Sequence, residues 1–152
     1  MTGFENFYSS IDATGPAVVH IGPASQMGND IRLKICGRRL LVTVVGEPVC
    51  ERLFEHFREG LAAKVIHPNM RALVDLTRFV GVIDWTVLAR LRALAPWGED
   101  SDHPSRVAYL LRDSGAAMMV KAASALFPLS QHRAFTHRDE AIAWLEATRP
   151  AA

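Results

Sequence analysis

Three short segments of this sequence are apolar on both sides of an extended chain, and nothing constrains its fold more. Residues 40–45 (LLVTVV) are broken only by Thr43, residues 72–76 (ALVDL) only by Asp75, and residues 107–111 (VAYLL) only by the hydroxyl of Tyr109. A strand with one wet face alternates polar and apolar residues, whereas a strand covered on both faces does not. Each of these strands therefore needs a layer above it and another below. The intervening segments have helical periodicity and supply that cover. Val49, Leu53, Phe57 and Leu61 recur every four residues, with Glu51, Arg52, Glu55, Arg58 and Glu59 on the other side, and Pro48 suits the first turn. Asp84 is an N-cap for a second helix that turns Trp85, Leu88, Leu91 and Ala95 inward and stops at Pro96. Ser114 caps a third helix that ends before Pro128. After a short strand at residues 133–135, Thr136 with Asp139 resembles a capping box for a fourth helix, which buries Ile142 and Leu145. Strands alternating with helices imply right-handed crossovers and a mostly parallel sheet.

The start of the chain follows a different rule. Ile31, Leu33 and Ile35 alternate with Arg32 and Lys34, and Cys36-Gly37-Arg38 reverses the chain. This strand is expected at or near a sheet edge, antiparallel to residues 40–45. Residues 1–30 are rich in Gly, Ser, Pro and Asn, with aromatics at Phe4, Phe7 and Tyr8 and one β-prone island at residues 18–21. They read as a partly ordered arm ahead of a domain at residues 31–152. The fold class is α/β: a mostly parallel sheet with an antiparallel N-terminal hairpin strand and four helices. Val42, Val44, Leu73, Val74, Val107 and Leu110 are expected to be nearly fully buried.

Charge and composition narrow the function. Lys and Arg number 17 and Asp and Glu 16, a formal charge of +1, whereas nucleic-acid binders carry a basic surplus. Two cysteines, Cys36 and Cys50, make no disulfide framework and point to a reducing, cytoplasmic setting. No apolar run reaches the ~18 residues of a membrane span, and no signal peptide is read at the N-terminus. Neither GxGxxG nor GxxxxGK[ST] occurs, so no nucleotide cofactor is expected. The six histidines lie at no zinc-ligand spacing, and the loop with Glu99, Asp100, Asp102 and His103 lacks a calcium-loop pattern, so no metal is expected.

Arg71-Ala-Leu-Val-Asp-Leu-Thr77, Asp84-Trp85 and the closing stretch at residues 135–145 (FTHRDEAIAWL) together resemble the SpoIIAA-like family of the STAS superfamily, in its uncharacterised branch. The resemblance covers about residues 31–147 and implies that family's fold, an opening hairpin followed by alternating strands and helices. It also implies a role in regulation through protein contact. Regulatory members carry a phosphorylatable serine after the third strand. The matching stretch here, residues 75–81, has Thr77 as its one hydroxyl, with Arg78 and Phe79 where small residues are expected. Thr77 is therefore not read as a phosphosite.

Ligands of open parallel sheets bind beyond the carboxyl ends of the strands. The expected interaction or ligand face is accordingly Asp75, Thr77, Arg78, Phe79, Gly81, Asp84 and Trp85. The third helix is apolar on most sides, with Lys121 as its one charge. The helix is read as core packing first, as a subunit contact second and as the adaptable wall of an apolar pocket third, and a homodimer whose contact includes Met118 or Met119 is expected. The favoured reading is a non-enzymatic interaction or regulatory domain meeting another regulatory protein. The alternative is a carrier or sensor of a small apolar or lipid-like ligand between the sheet and the Met-rich helix, marked by an apolar cavity of ~300 Å³ or more. A hydrolase using Asp113, Ser114 and His137 is a distant third reading.

Overall fold

The computed structural model describes residues 7–11, 17–21, 29–67, 70–94, 105–113 and 117–147. Strands β1 (Phe7–Ile11), β2 (Ala17–Ile21), β3 (Asp30–Cys36) and β4 (Arg39–Gly46) come first. Helix α1 (Glu51–Ala62), β5 (Arg71–Phe79), α2 (Trp85–Leu94), β6 (Arg106–Leu110), α3 (Ala117–Leu126), β7 (Gln131–Phe135) and α4 (Arg138–Glu146) follow. The seven strands form one sheet in chain order. Pairing is antiparallel from β1 through β4 and parallel from β4 through β7. The α/β class, the antiparallel strand at residues 31–35 and the four helices are thus as the sequence implies.

That strand, expected at or near the edge, has two further strands outside it. β2 pairs along its free side, Val19 opposite Ile35 and Ile21 opposite Leu33, and β1 pairs outside β2. The β-prone island at residues 18–21 offers a complete row of backbone partners, and an unpaired edge is what such a row removes.

Strand alternation divides the sheet's side chains between two cores. On one face Ile31, Leu33, Leu40, Val42, Ala72 and Val107 pack with Phe57 and Leu91 from the helices. On the other, Leu73, Ala108, Leu110 and Phe135 pack with Ala141 and Leu145 of α4. Val42, Val44, Leu73, Val107 and Leu110 are buried, whereas Val74, on the wall of the void described below, is half-buried.

Helix starts follow the sequence in one case and depart from it in three. Asp84 Oδ1 accepts from the N–H groups of Thr86 at 3.0 Å and Val87 at 3.4 Å, an N-cap on α2. Val49 does not enter α1; its carbonyl accepts from Arg52 N–H in the preceding turn, which leaves its side chain exposed. Trp85, at the first turn of α2, is 38% exposed, whereas Leu88 and Leu91 face inward as expected, joined by Val87; Ala95 lies outside the described residues. The Thr136–Asp139 box does not form. His137 is the N-cap of α4 without a side-chain bond, and the Thr136 hydroxyl meets the His137 ring at 3.1 Å. Among the described residues, no helix is long and apolar enough to cross a membrane.

Candidate functional site: an apolar cavity beneath the strand ends

A bulge in β5 builds the site. Thr43 pairs with Asp75 but Val45 pairs with Arg78, so β5 advances three residues while β4 advances two. An extra residue in a strand reverses which face later side chains occupy. Val74 and Leu76 face the helices α1 to α3; beyond the bulge Phe79 does so too, and all three line one cavity. Without the extra residue Phe79 would point to the α4 side.

The cavity has a volume of about 170 Å³ and lies between the sheet and α1, α2 and α3. Its wall is almost entirely apolar: Val42, Val74 and Val107 from the strands, Leu53 and Phe57 from α1, Val87, Leu88 and Leu91 from α2, and Met119 and Ala123 from α3. Next to it, beyond the ends of β5 and β6, lies an open cleft of about 500 Å³ edged by Val80, Gly81, Val82, Arg112 and Asp113. Leu76, Phe79, Ile83, Trp85 and Met119 line both spaces, so the cavity ends where the strand-end face begins. Gly81 sits tightly at this junction, where any larger residue must displace a neighbouring side chain. A Cβ at this position would lie 3.0 Å from the Phe79 ring and 3.1 Å from Glu47 Cγ.

Ionisable side chains reach the wall at four places, and each is already engaged. Asp84 caps α2. The Cys50 thiol lies 4.0 Å from the Val82 carbonyl. Tyr109 and His132, from adjacent strands, meet with hydroxyl and Nδ1 3.0 Å apart, while His132 Nε2 lies 3.0 Å from the Phe127 carbonyl. A carbonyl only accepts, so Nε2 carries the proton. Burial lowers the His132 pKa, against the opposing pull of the Phe127 carbonyl, so the ring stays neutral and Nδ1 accepts from the Tyr109 hydroxyl. Burial also raises the Tyr109 pKa and keeps that proton in place. The two rings stack at 5.9 Å between centroids.

The residues expected to form one face divide between two. Phe79, Gly81, Asp84, Trp85 and Met119 gather at the cavity and cleft. Asp75 and Thr77 lie before the bulge is complete: Asp75 Oδ1 accepts from the Thr77 N–H at 3.0 Å and its hydroxyl at 2.7 Å, and Oδ2 faces Arg138 of α4 at 3.6 Å. Arg78 is exposed. Met118 is 73% exposed on the outside of α3. Asp113 edges the cleft, and His137 is exposed beside Glu140. Ser114 and the acids of the loop at residues 99–103 lie outside the described residues. Among the described residues, no three His, Cys, Asp or Glu side chains gather as a metal site would require. Tyr109 and His132 are the cavity-wall pair the sequence reading passed over. The available signal was a tyrosine within an apolar strand, which when buried needs a partner for its hydroxyl.

The profile of the SpoIIAA-like family matches residues 40–146. This chain belongs to the SpoIIAA-like family. The SpoIIAA-like match runs from β4 to the end of α4, and so includes the bulge, all four helices and every wall residue named above. A solved structure of similar fold is an uncharacterized protein from the DUF3478 family with a SpoIIAA-like fold, from Shewanella loihica PV-4. It is 20% identical, covers 82% of this chain and 99% of its own length, and gives a TM-score of 0.55. No curated protein matches the chain. The SpoIIAA-like match and the solved structure fix the fold, and the family match points to a binding or regulatory domain without naming a partner.

Proposed function

We propose that this SpoIIAA-like chain is a non-enzymatic regulatory binding domain whose signal is a small apolar molecule held between the sheet and helices α1 to α3. The cavity of about 170 Å³ carries this reading, because its lining continues directly into the strand-end face. An occupant touching Phe79, Trp85 and Met119 bears on the surface a partner would meet. The volume falls short of the ~300 Å³ set as the mark of a carrier of a lipid-like ligand, so the occupant proposed is small rather than lipid-sized. Polar groups near the strand ends hold one another, as Asp75 holds Thr77 and Arg138, which supports binding over catalysis. Two free thiols support a cytoplasmic setting.

Thermal unfolding with and without a volatile apolar compound such as benzene tests the proposal. A ligand at one hundred times its Kd stabilises the folded state by about 2.7 kcal/mol, which appears as a raised Tm. An unchanged Tm across a panel of small apolar compounds refutes it. A second reading, recognition of another regulatory protein without a small molecule, draws on Val80, Val82 and Trp85, which lie exposed together at the cleft. Val82→Asp separates the two: it spares benzene binding under the first and removes partner binding under the second. The exposed Met118 supports self-association through α3 as an addition to either.

A further inference from the structure

We infer that the cavity selects a neutral hydrocarbon group about the size of one six-membered ring and rejects alcohols, acids and acyl chains of similar apolarity. This rests on the small-molecule reading above and specifies its ligand class. Size sets the first limit. An apolar cavity of about 150 Å³ stays dry and takes up benzene, and this one measures about 170 Å³. A long acyl chain exceeds that volume and would have to run out into the adjoining cleft, past the charged side chains Arg112 and Asp113.

Chemistry sets the second limit. Four ionisable side chains stand on the wall, yet its surface is almost wholly carbon, because their polar atoms face their partners rather than the void. Tyr109 gives its proton to His132, and His132 gives its own to the Phe127 carbonyl. Asp84 accepts from two backbone N–H groups. A guest hydroxyl would enter without a partner, at a cost equivalent to a loss of about tenfold or more in affinity. A guest carboxylate would fare worse. No Lys or Arg is among the lining residues, and the nearest charge is the carboxylate of Asp84.

The test compares toluene, phenol, benzoate and dodecanoate by isothermal titration and thermal shift on the full chain. It is repeated on Ala123→Leu and on Val74→Leu, each of which adds carbon to the void from a different wall. Toluene is expected to bind one to one, with phenol at least about tenfold weaker and no binding of benzoate or dodecanoate. Both variants are expected to keep a wild-type or higher Tm and to lose toluene by tenfold or more, an order of magnitude set by the lost space. Phenol, benzoate or dodecanoate binding as tightly as toluene overturns the selectivity while leaving the small-molecule reading intact. Toluene binding unaltered in both folded variants overturns it by placing the site elsewhere. Binding of no probe at all overturns the small-molecule reading and the selectivity together.

Discussion

Arg106 is among the largest fully buried side chains of the described residues, and replacing it with alanine gives a defined expectation. It is 1% exposed at the start of β6. Its Nε donates to Gln131 Oε1 at 3.1 Å, and its Nη1 donates to the carbonyls of Trp144 at 2.8 Å and Ala147 at 2.9 Å. The guanidinium also lies 5.5 Å from the Trp144 ring centre. Arg71 donates to the carbonyls of Leu145 and Ala147, so two arginines close the C-terminal end of α4, where the helix dipole favours cations. Arg106→Ala leaves the Ala147 carbonyl with Arg71 but strands the Trp144 carbonyl and the Gln131 side chain. Hydrogen bonds to a charged donor contribute about 1.5–3 kcal/mol each, so the two acceptors left without a donor come to about 3–6 kcal/mol. Part of that is returned. Burial and the neighbouring Arg71 both disfavour the charge and lower the Arg106 pKa, and its Nη2 has no partner among the described residues. The expected net loss is about 3 kcal/mol, or roughly 6–12 °C in Tm for a chain of this size. Arg106→Met, which keeps the volume and removes the charge, should cost less than alanine. Urea unfolding followed by tryptophan fluorescence measures both. A loss under 1 kcal/mol for Arg106→Ala, or a methionine variant less stable than the alanine one, would refute the clamp as a source of stability.

Stability should fall on mild acidification, because burial lowers the pKa of both His56 and His132 in the folded chain. Each contributes stability that is complete above the unfolded value near 6.5 and is lost as pH drops below it, by at most about 1.4 kcal/mol per pH unit per group. Urea midpoints from pH 7.5 to 5 check this, and a midpoint that rises on acidification contradicts it. Thr77→Val should cost about 1 kcal/mol through the lost hydroxyl bond to Asp75. Mass spectrometry after incubation with kinases of the native host should find no phosphate at Thr77, since a phosphate there would face the Asp75 carboxylate; stoichiometric modification would reverse that view. Met118→Glu should shift sedimentation toward monomer with little change in Tm, as the side chain is exposed, whereas an unmutated chain already monomeric at micromolar concentration removes the self-association idea. Met119 is unsuited to that experiment, because a charge there would enter the cavity wall.

The order of strands and helices and the need to cover both faces of the sheet are written in the local pattern. An apolar run such as residues 107–110 demands two covering layers wherever it lies, and Asp84 caps its helix through bonds to residues two and three positions away. Such properties depend on neighbours in the chain and survive reading one segment at a time. The cavity does not. It is a shortfall between what β4, β5 and β6 leave open and what α1, α2 and α3 fill, and no single segment records a shortfall. The same holds for the bulge that turns Phe79 inward, which is a mismatch of register between two strands. It holds equally for the meeting of Tyr109 with His132 and for the two arginines on α4, whose partners lie 23 to 76 positions away. Local sequence determined the elements and their cover. Only the packing of distant elements decided where space remained and which polar groups were already spent in closing it.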